Sequence, residues 1–282
     1  MKNNYWIIED WLIFKPSFNE GLTDYYDFIN KYDKIIFSNY DEPLIAIETN
    51  NEFKYKYIKN LNSSYFNKEI YLSNNIDLTH LIFGYYFNKK INLSNNINLT
   101  YLTFGCWFNQ EIDLSNNINL THLTFGNDFN QKIDLSNNIN LTHLTFGWCF
   151  NKEIDLSNNI NLTHLTFGKW FNQEINIPLN VKNINMNNCS NQYIIDNLHN
   201  NIEELIIYKS NLNLDNLPNS IKKIYIKYYE KKLNNFPNSI EHLELENYNL
   251  KIKKIPKNLK TVKCNTNYKY INDFKDYEVI YY

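Results

Sequence analysis

The chain has 282 residues, 43% of them hydrophobic and 16% aromatic, including 23 Tyr, 18 Phe and 5 Trp. Its formal net charge is -2 and it contains no arginine. With no basic excess and no guanidinium fork, nothing in it is suited to tracking a phosphate backbone or reading guanine, so nucleic acid is not an expected partner.

The N-terminal segment, residues 1–57, stands apart from the rest of the chain. Its start, "MKNNYWIIEDWLIF", carries acids inside the apolar run and lacks a small-residue cleavage site, which predicts no secretion signal. No run in the chain reaches ~18 apolar residues, so no membrane span is expected. "LTDYYDFINKYDKIIF" reads as a short helix followed by a strand, and "PLIAIE" as a further strand.

From residue 58 the chain repeats itself. Gly84, Gly105, Gly126, Gly147 and Gly168 recur with a strict period of 21. The unit around them is FN-[KQ]-[EK]-I-x-LSNNI-x-LT-[HY]-L-[TI]-FG-x-x, with a degraded earlier copy in "IKNLNSSYFNKEIYLSNNI" around Phe66. After Gly168 the wording changes but the beat continues. "VKNINM", "IEELII", "IKKIYI", "IEHLEL" and "LKTVKC" begin at Val181, Ile202, Ile221, Ile240 and Leu259, spaced by 21, 19, 19 and 19. "LPNSI" in these later units takes the place of "LSNNI" in the earlier ones. About ten units run from Leu78 to Cys264.

Self-similarity at this period is the sign of a solenoid. Each unit supplies one short strand and a return turn, and it buries its apolar side only against its neighbours. With strands about 4.8 Å apart, ten units predict a parallel sheet on the order of 45 Å long.

Period-two alternation assigns the columns. Leu123, Phe125, Leu144 and Phe146 point to the core, and His122, Thr124 and Gly126 to the sheet face. Phe87, Phe108, Phe129, Phe150 and Phe171 are expected to fill the remaining core with Ile91, Ile112, Ile133, Ile154 and Ile175. The Asn after each of these Phe residues (Asn88, Asn109, Asn130, Asn151, Asn172) is expected to bond loop backbone in the neighbouring unit. Glu69, Glu111, Glu153 and Glu174 read as a solvated column.

The pair after each glycine varies: Tyr85-Tyr86, Cys106-Trp107, Asn127-Asp128, Trp148-Cys149 and Lys169-Trp170. Large aromatics recur there and supply binding hot spots, so Trp107, Trp148 and Trp170 are candidate partner-binding residues. The later units carry individual chemistry on their outward strand positions. The candidates on that face are Tyr208, Lys223, Tyr225, Lys227, His242, Glu244 and Glu246, a mixture of charge and aromatic surface that suits a specific protein partner.

"LTHLTFG" and "LELENYNL" resemble leucine-rich repeats. The 21-residue unit resembles the FNIP repeat, a leucine-rich-repeat relative found in social amoebae and in giant viruses of amoebae. The resemblance covers roughly residues 58–265. One departure is that the proline ending the typical unit is replaced by Ser-Asn-Asn and returns only at Pro178, Pro218, Pro237 and Pro256. The resemblance implies a leucine-rich-repeat-like solenoid with a curved parallel sheet, one short strand per 19–21-residue unit and loop or short helical returns. The expected organisation is an N-terminal cap or accessory segment (1–57), FNIP-type repeats (58–177), leucine-rich-repeat-like units (178–265) and a C-terminal cap (266–282).

Several chemistries lack support in the sequence. His80, His122, His143 and His164 form a ladder with Tyr101 in one rung, but no carboxylate or thiolate column completes a metal site. Thr103, Thr124, Thr145 and Thr166 follow strand propensity and need no ice-binding role. Asn98, Asn119, Asn140 and Asn161 formally fit a glycosylation motif, but no secretion signal accompanies them. Cys106, Cys149, Cys189 and Cys264 lie far apart and read as free thiols of a reducing compartment. No phosphate loop, HExxH or GxSxG occurs.

The expectation is therefore a non-enzymatic scaffold for protein–protein interaction, acting through the concave sheet face and adjacent loops in the cytoplasm, or the host cytoplasm if the chain is viral. No cofactor, metal or small-molecule substrate is expected. Two alternatives stay open. One is a ubiquitin-ligase substrate receptor with a divergent adaptor-binding segment in residues 1–57, where no F-box pattern is found. The other is a carbohydrate-binding or carbohydrate-active β-helix.

Overall fold

The computed structural model describes residues 4–38, 47–49, 52–54 and 64–282. By its internal contacts the chain divides into two compact units, Met1–Leu141 and Thr142–Tyr282. Each is a parallel-strand solenoid of the leucine-rich-repeat type with few helices.

In the first unit, β1 (Tyr5–Ile8) runs antiparallel to β2 (Trp11–Phe14). A short helix, α1 (Tyr26–Ile29), precedes β3 (Lys34–Phe37), as the sequence predicts. β4 (Ile47–Thr49) and β5 (Glu52–Lys54) form a separate antiparallel pair. Residues 43–46 of the expected "PLIAIE" strand and residues 58–63 of the degraded repeat lie outside the described residues. β6 (His80–Ile82), β7 (Tyr101–Thr103) and β8 (His122–Thr124) then continue β2 and β3 in parallel, with Leu81 opposite Leu102 and Leu102 opposite Leu123.

The copied columns do the packing. Phe66, Phe87, Phe108 and Phe129 stack rung on rung, with centroids 5.9, 6.1 and 6.1 Å apart. Within each rung the strand's own Phe lies flat against this column, as Phe104 does on Phe108 at 3.9 Å. These rings are essentially fully buried. The isoleucine column is less uniform than expected. Ile112, Ile133 and Ile175 are buried, whereas Ile91 and Ile154 are only half-buried.

Two further columns lock the turns. The Asn after each Phe behaves as expected: Asn109 and Asn130 donate their backbone N–H to Oδ1 of Asn88 and Asn109, at 3.0 and 2.9 Å. The second Asn of "LSNNI" is a buried column that the sequence reading missed. Nδ2 of Asn117 donates to the carbonyls of Leu93 and Asn96, at 3.0 and 2.9 Å, and Nδ2 of Asn138 donates to those of Leu114 and Asn117, at 3.0 and 2.9 Å. Each buried turn thereby satisfies the one before it. Asn75 begins the column by donating to the carbonyls of Ile29 and Tyr32, which ties the N-terminal segment to the repeats.

The repeated glycine is required by space rather than by backbone angle. None of the glycines has positive φ. A Cβ on Gly126 would lie 1.9 Å from the carbonyl oxygen of Gly105, so the rungs touch there.

In the second unit all strands are parallel: β9 (His143–Thr145), β10 (His164–Phe167), β11 (Asn183–Asn187), β12 (Glu204–Tyr208), β13 (Lys223–Lys227), β14 (His242–Glu246), β15 (Thr261–Cys264) and β16 (Glu278–Tyr281). A single turn of helix, α2 (Gln192–Asp196), follows β11, with the Asn191 side chain accepting from the Tyr193 amide. Where proline replaces the copied turn, the turn hydrogen bond persists, from the Ile221 amide to the Pro218 carbonyl and from Ile240 to Pro237. Ser220 and Ser239 then bond the previous rung's carbonyls in place of the buried Asn. Tyr229, Tyr248 and Tyr268 replace the Phe column in the core, and the hydroxyls of Tyr229 and Tyr268 donate to the Leu212 and Leu250 carbonyls.

The strand exit also changes. Asn188, Lys209, Tyr228 and Asn247, each one residue past its strand, take left-handed angles with φ of 56, 43, 49 and 54°. Asn tolerates that conformation locally, but Lys and Tyr carry a steric cost there.

Candidate interaction surfaces

On β12–β15 every second side chain is core, so the alternate ones form one sheet face. The structure brings the sequence-predicted Tyr208, Lys223, Tyr225, Lys227, His242, Glu244 and Glu246 together on that face. Register places Glu204, Lys223, His242 and Thr261 in one line, Tyr225, Glu244 and Lys263 in a second, and Tyr208, Lys227 and Glu246 in a third.

The charges on this face are mutually paired. Lys227 Nζ lies 2.6 Å from Glu246, Lys263 lies 3.5 Å from Glu244 and Lys223 lies 3.4 Å from Glu204. The Tyr225 hydroxyl donates to Glu246 and the Tyr282 hydroxyl to Glu244. Burial alone would raise the Glu246 carboxyl, but the bonds from Lys227 and Tyr225 outweigh it and hold the group below the usual carboxylate range. Glu246 in turn holds the Lys227 ammonium above its ordinary value. Burial first, and the neighbouring carboxylates second, push the Tyr225 and Tyr282 hydroxyls up, so both are donors at neutral pH.

Around the ion pairs lies aromatic surface. Lys227 sits 5.5 Å from the ring centres of both Tyr208 and Tyr228, and these two rings meet edge to face at 5.8 Å. Lys263 sits over Tyr282 at 4.4 Å. Tyr228 and Tyr282 were not anticipated from the sequence. Tyr228 lies one residue beyond the alternating strand, where counting by two fails, and Tyr282 lies in the stretch expected only as a cap. A line of exposed Tyr and Ile in "EVIYY", Ile280, Tyr281 and Tyr282, was the available signal.

The strand-exit residues form separate surfaces. In the first unit Tyr65, Tyr86, Trp107 and Asp128 occupy one column. Their rungs are joined by backbone bonds from Tyr86 to Ser64, from Trp107 to Tyr85 and from Asp128 to Cys106, at 3.3, 3.1 and 2.8 Å. In the second unit Trp148 and Trp170 are both exposed, with Lys169 at 5.9 and 5.0 Å from their rings.

The histidine rows are half-buried and internally bonded. Nδ1 of His122, His143 and His164 lies 2.8–2.9 Å from the hydroxyl of the preceding Thr. Thr121 and Thr163 donate that hydroxyl's proton to the carbonyls of Thr100 and Thr142, so the imidazole supplies the proton on Nδ1. Among the described residues, no group of three or more His, Cys, Asp and Glu is placed to hold a metal. Also among the described residues, no helix is long and apolar enough to cross a membrane. The four cysteines are free thiols, and burial pushes the Cys189 thiol up to about 11.

The FNIP repeat family model matches residues 208–248, the stretch that holds Pro218, Pro237 and most of the sheet face described above. The chain is similar to CroV588, a circular leucine-rich-repeat protein of a giant virus. The identity is 26% and the TM-score 0.63, over 94% of this chain and 42% of that one. The chain thus spans about two fifths of the length of that structure. Two Listeria monocytogenes proteins also match: the functional domain of InlJ, which includes a cysteine ladder, and the internalin inlF. Their TM-scores are 0.42 and 0.43 and their identities 15% and 17%. They cover 70% and 74% of this chain, and 55% and 62% of their own chains. No curated protein matches the chain.

Proposed function

Because this chain is an FNIP/leucine-rich-repeat-like protein, we propose that it is a non-enzymatic scaffold that holds a protein partner on the sheet face of β12–β16. The observation that carries this reading is the Tyr208–Tyr225–Tyr228–Tyr282 cluster. It gathers aromatic surface around ion pairs that already neutralise one another. Tyr offers large contact area at low entropic cost, and pre-paired charges leave little unpaired charge for the partner to desolvate. The retention of Tyr228 in a left-handed conformation supports the same reading, since strain at an exposed residue points to function.

In this account the partner is a folded protein or peptide and the site of action is the cytoplasm, the host's if the chain is viral. The free thiols of Cys106 and Cys149 at half-exposed positions fit a reducing compartment. The test is affinity capture from lysate of the cells in which the protein occurs with wild-type chain, with Tyr208→Ala/Tyr225→Ala and, as a control on the exposed return between β14 and β15, with Lys253→Ala. Loss of the same captured species with the first variant alone supports the assignment, and equal capture by all three rejects it.

A further inference from the structure

We infer that the column Tyr65–Tyr86–Trp107–Asp128 in the first unit is a second docking surface, and that its occupant is a polyproline-II segment with a basic residue at one end. This surface belongs to the other unit and does not depend on the sheet face proposed above.

Spacing favours this occupant. Consecutive rungs are about 4.8 Å apart, so Tyr65 and Trp107, two rungs apart, are about 9.6 Å apart along the ladder. A polyproline-II helix advances about 9.3 Å per three-residue turn. Prolines at i and i+3 therefore fall in step with alternate rungs. Such helices dock on aromatic-lined surfaces because their backbone is already extended and loses little entropy on binding.

Exposure and ring geometry favour this ligand over a sugar. Tyr65, Tyr85 and Trp107 are 56, 37 and 47% exposed. Tyr65 and Tyr86 are stacked on each other at 5.4 Å and 10°, so each covers one face of the other. A pyranose ring needs an open aromatic face, whereas proline rings pack against edges and into the notches between side chains. Notches are present because Trp107 and Tyr85 each meet Tyr86 at a steep angle, 74 and 72°, with centroids 4.8 and 5.0 Å away.

Charge sets the end of the motif. Asp128 continues the column one rung beyond Trp107, is exposed, and makes no ion pair among the described residues. An arginine or lysine flanking the proline segment would meet it there, and the pairing would fix the direction in which the peptide lies.

The experiment is calorimetric titration of the full chain with synthetic oligoproline peptides bearing arginine at the N-terminus, at the C-terminus or at neither end, and with cellohexaose. The inference expects saturable binding of one arginine-bearing peptide below about 1 mM. Trp107→Ala and Tyr86→Ala should each weaken it about tenfold or more. Asp128→Asn should erase the preference for the arginine peptide while leaving oligoproline binding in place, an outcome that mere unfolding would not produce. Absence of saturation with every peptide, binding unchanged by these substitutions, or binding of cellohexaose instead would overturn the inference. Tyr208→Ala/Tyr225→Ala should not alter the titration.

Discussion

The hydroxyl of Tyr225 is bonded to the carboxylate of Glu246, which lies diagonally across on the neighbouring strand. Glu246 also holds Lys227 at 2.6 Å, so an acid, a base and a phenol close into one network. Surface charges that already cancel contribute little long-range steering. The dissociation constant of a partner bound on this face is therefore expected to change less than about threefold across a tenfold range of salt. Lys227→Met should break this behaviour by leaving Glu246 uncompensated, and binding should then become salt-dependent. Titration at several ionic strengths checks both points.

Tyr228 should trade stability for binding. Its φ of 49° is one that Asn adopts easily, as Asn188 and Asn247 do at the equivalent rungs. Tyr228→Asn is expected to raise unfolding stability by about 0.5–1 kcal/mol by relieving the left-handed cost. The same change removes an exposed ring from the face and should weaken partner binding. Urea unfolding and a binding titration on the same variant measure the two effects together.

Asn117 should matter more than its place in a polar turn suggests. Asn117→Leu removes the side-chain donations to the Leu93 and Asn96 carbonyls and leaves each with only its turn bond, from the Asn96 and Leu99 amides. The expected loss is on the order of 1–3 kcal/mol. Replacing Asn116, whose side chain reaches only an exposed carbonyl, should cost about 0.5 kcal/mol or less. Denaturant midpoints for the two variants give the comparison.

His80 predicts an acid-side loss of stability. Burial is the main cause that lowers its folded value to about 4, with Lys34 nearby adding to the effect. The ordinary imidazole value of 6.5 applies in the unfolded chain. Between 6.5 and 4 the unfolded state therefore binds a proton that the folded state refuses. Stability is complete above this window and falls as pH drops through it. His80→Phe, which keeps the ring beside Trp11 and Tyr101, should flatten that part of the pH–stability curve. Thermal melts from pH 7 to pH 4 would show it.

Some of this was legible in the sequence for identifiable physical reasons. Leu123 and Phe125 are spaced by two and the whole set recurs at a fixed period, so strand, core side and stacking direction followed together. The candidates from Tyr208 to Glu246 converged because the same alternation that buries Ile226 turns Tyr225 and Lys227 to the opposite, half-buried face. What failed to show was set by the turns. Asn116 and Asn117 are chemically identical neighbours, and only the packed turn decides that one faces solvent and the other the core. Gly126 repeats at a fixed period, but the reason for it is the Gly105 carbonyl of the preceding rung, a contact between residues one full repeat apart that no local pattern displays. Tyr228 sits beyond the last alternating residue, where a left-handed turn re-aims the chain. The antiparallel pairing of β1 with β2 left no periodic trace, because it occurs once.

The most direct test places a photo-crosslinking amino acid at position 208 on the sheet face, and separately at position 253 on the return between β14 and β15, in chains exposed to lysate of the cells in which the protein occurs. The account predicts a discrete covalent adduct from position 208, abolished by adding Tyr225→Ala, and none from position 253. An adduct formed from position 253 and not from position 208 would contradict it.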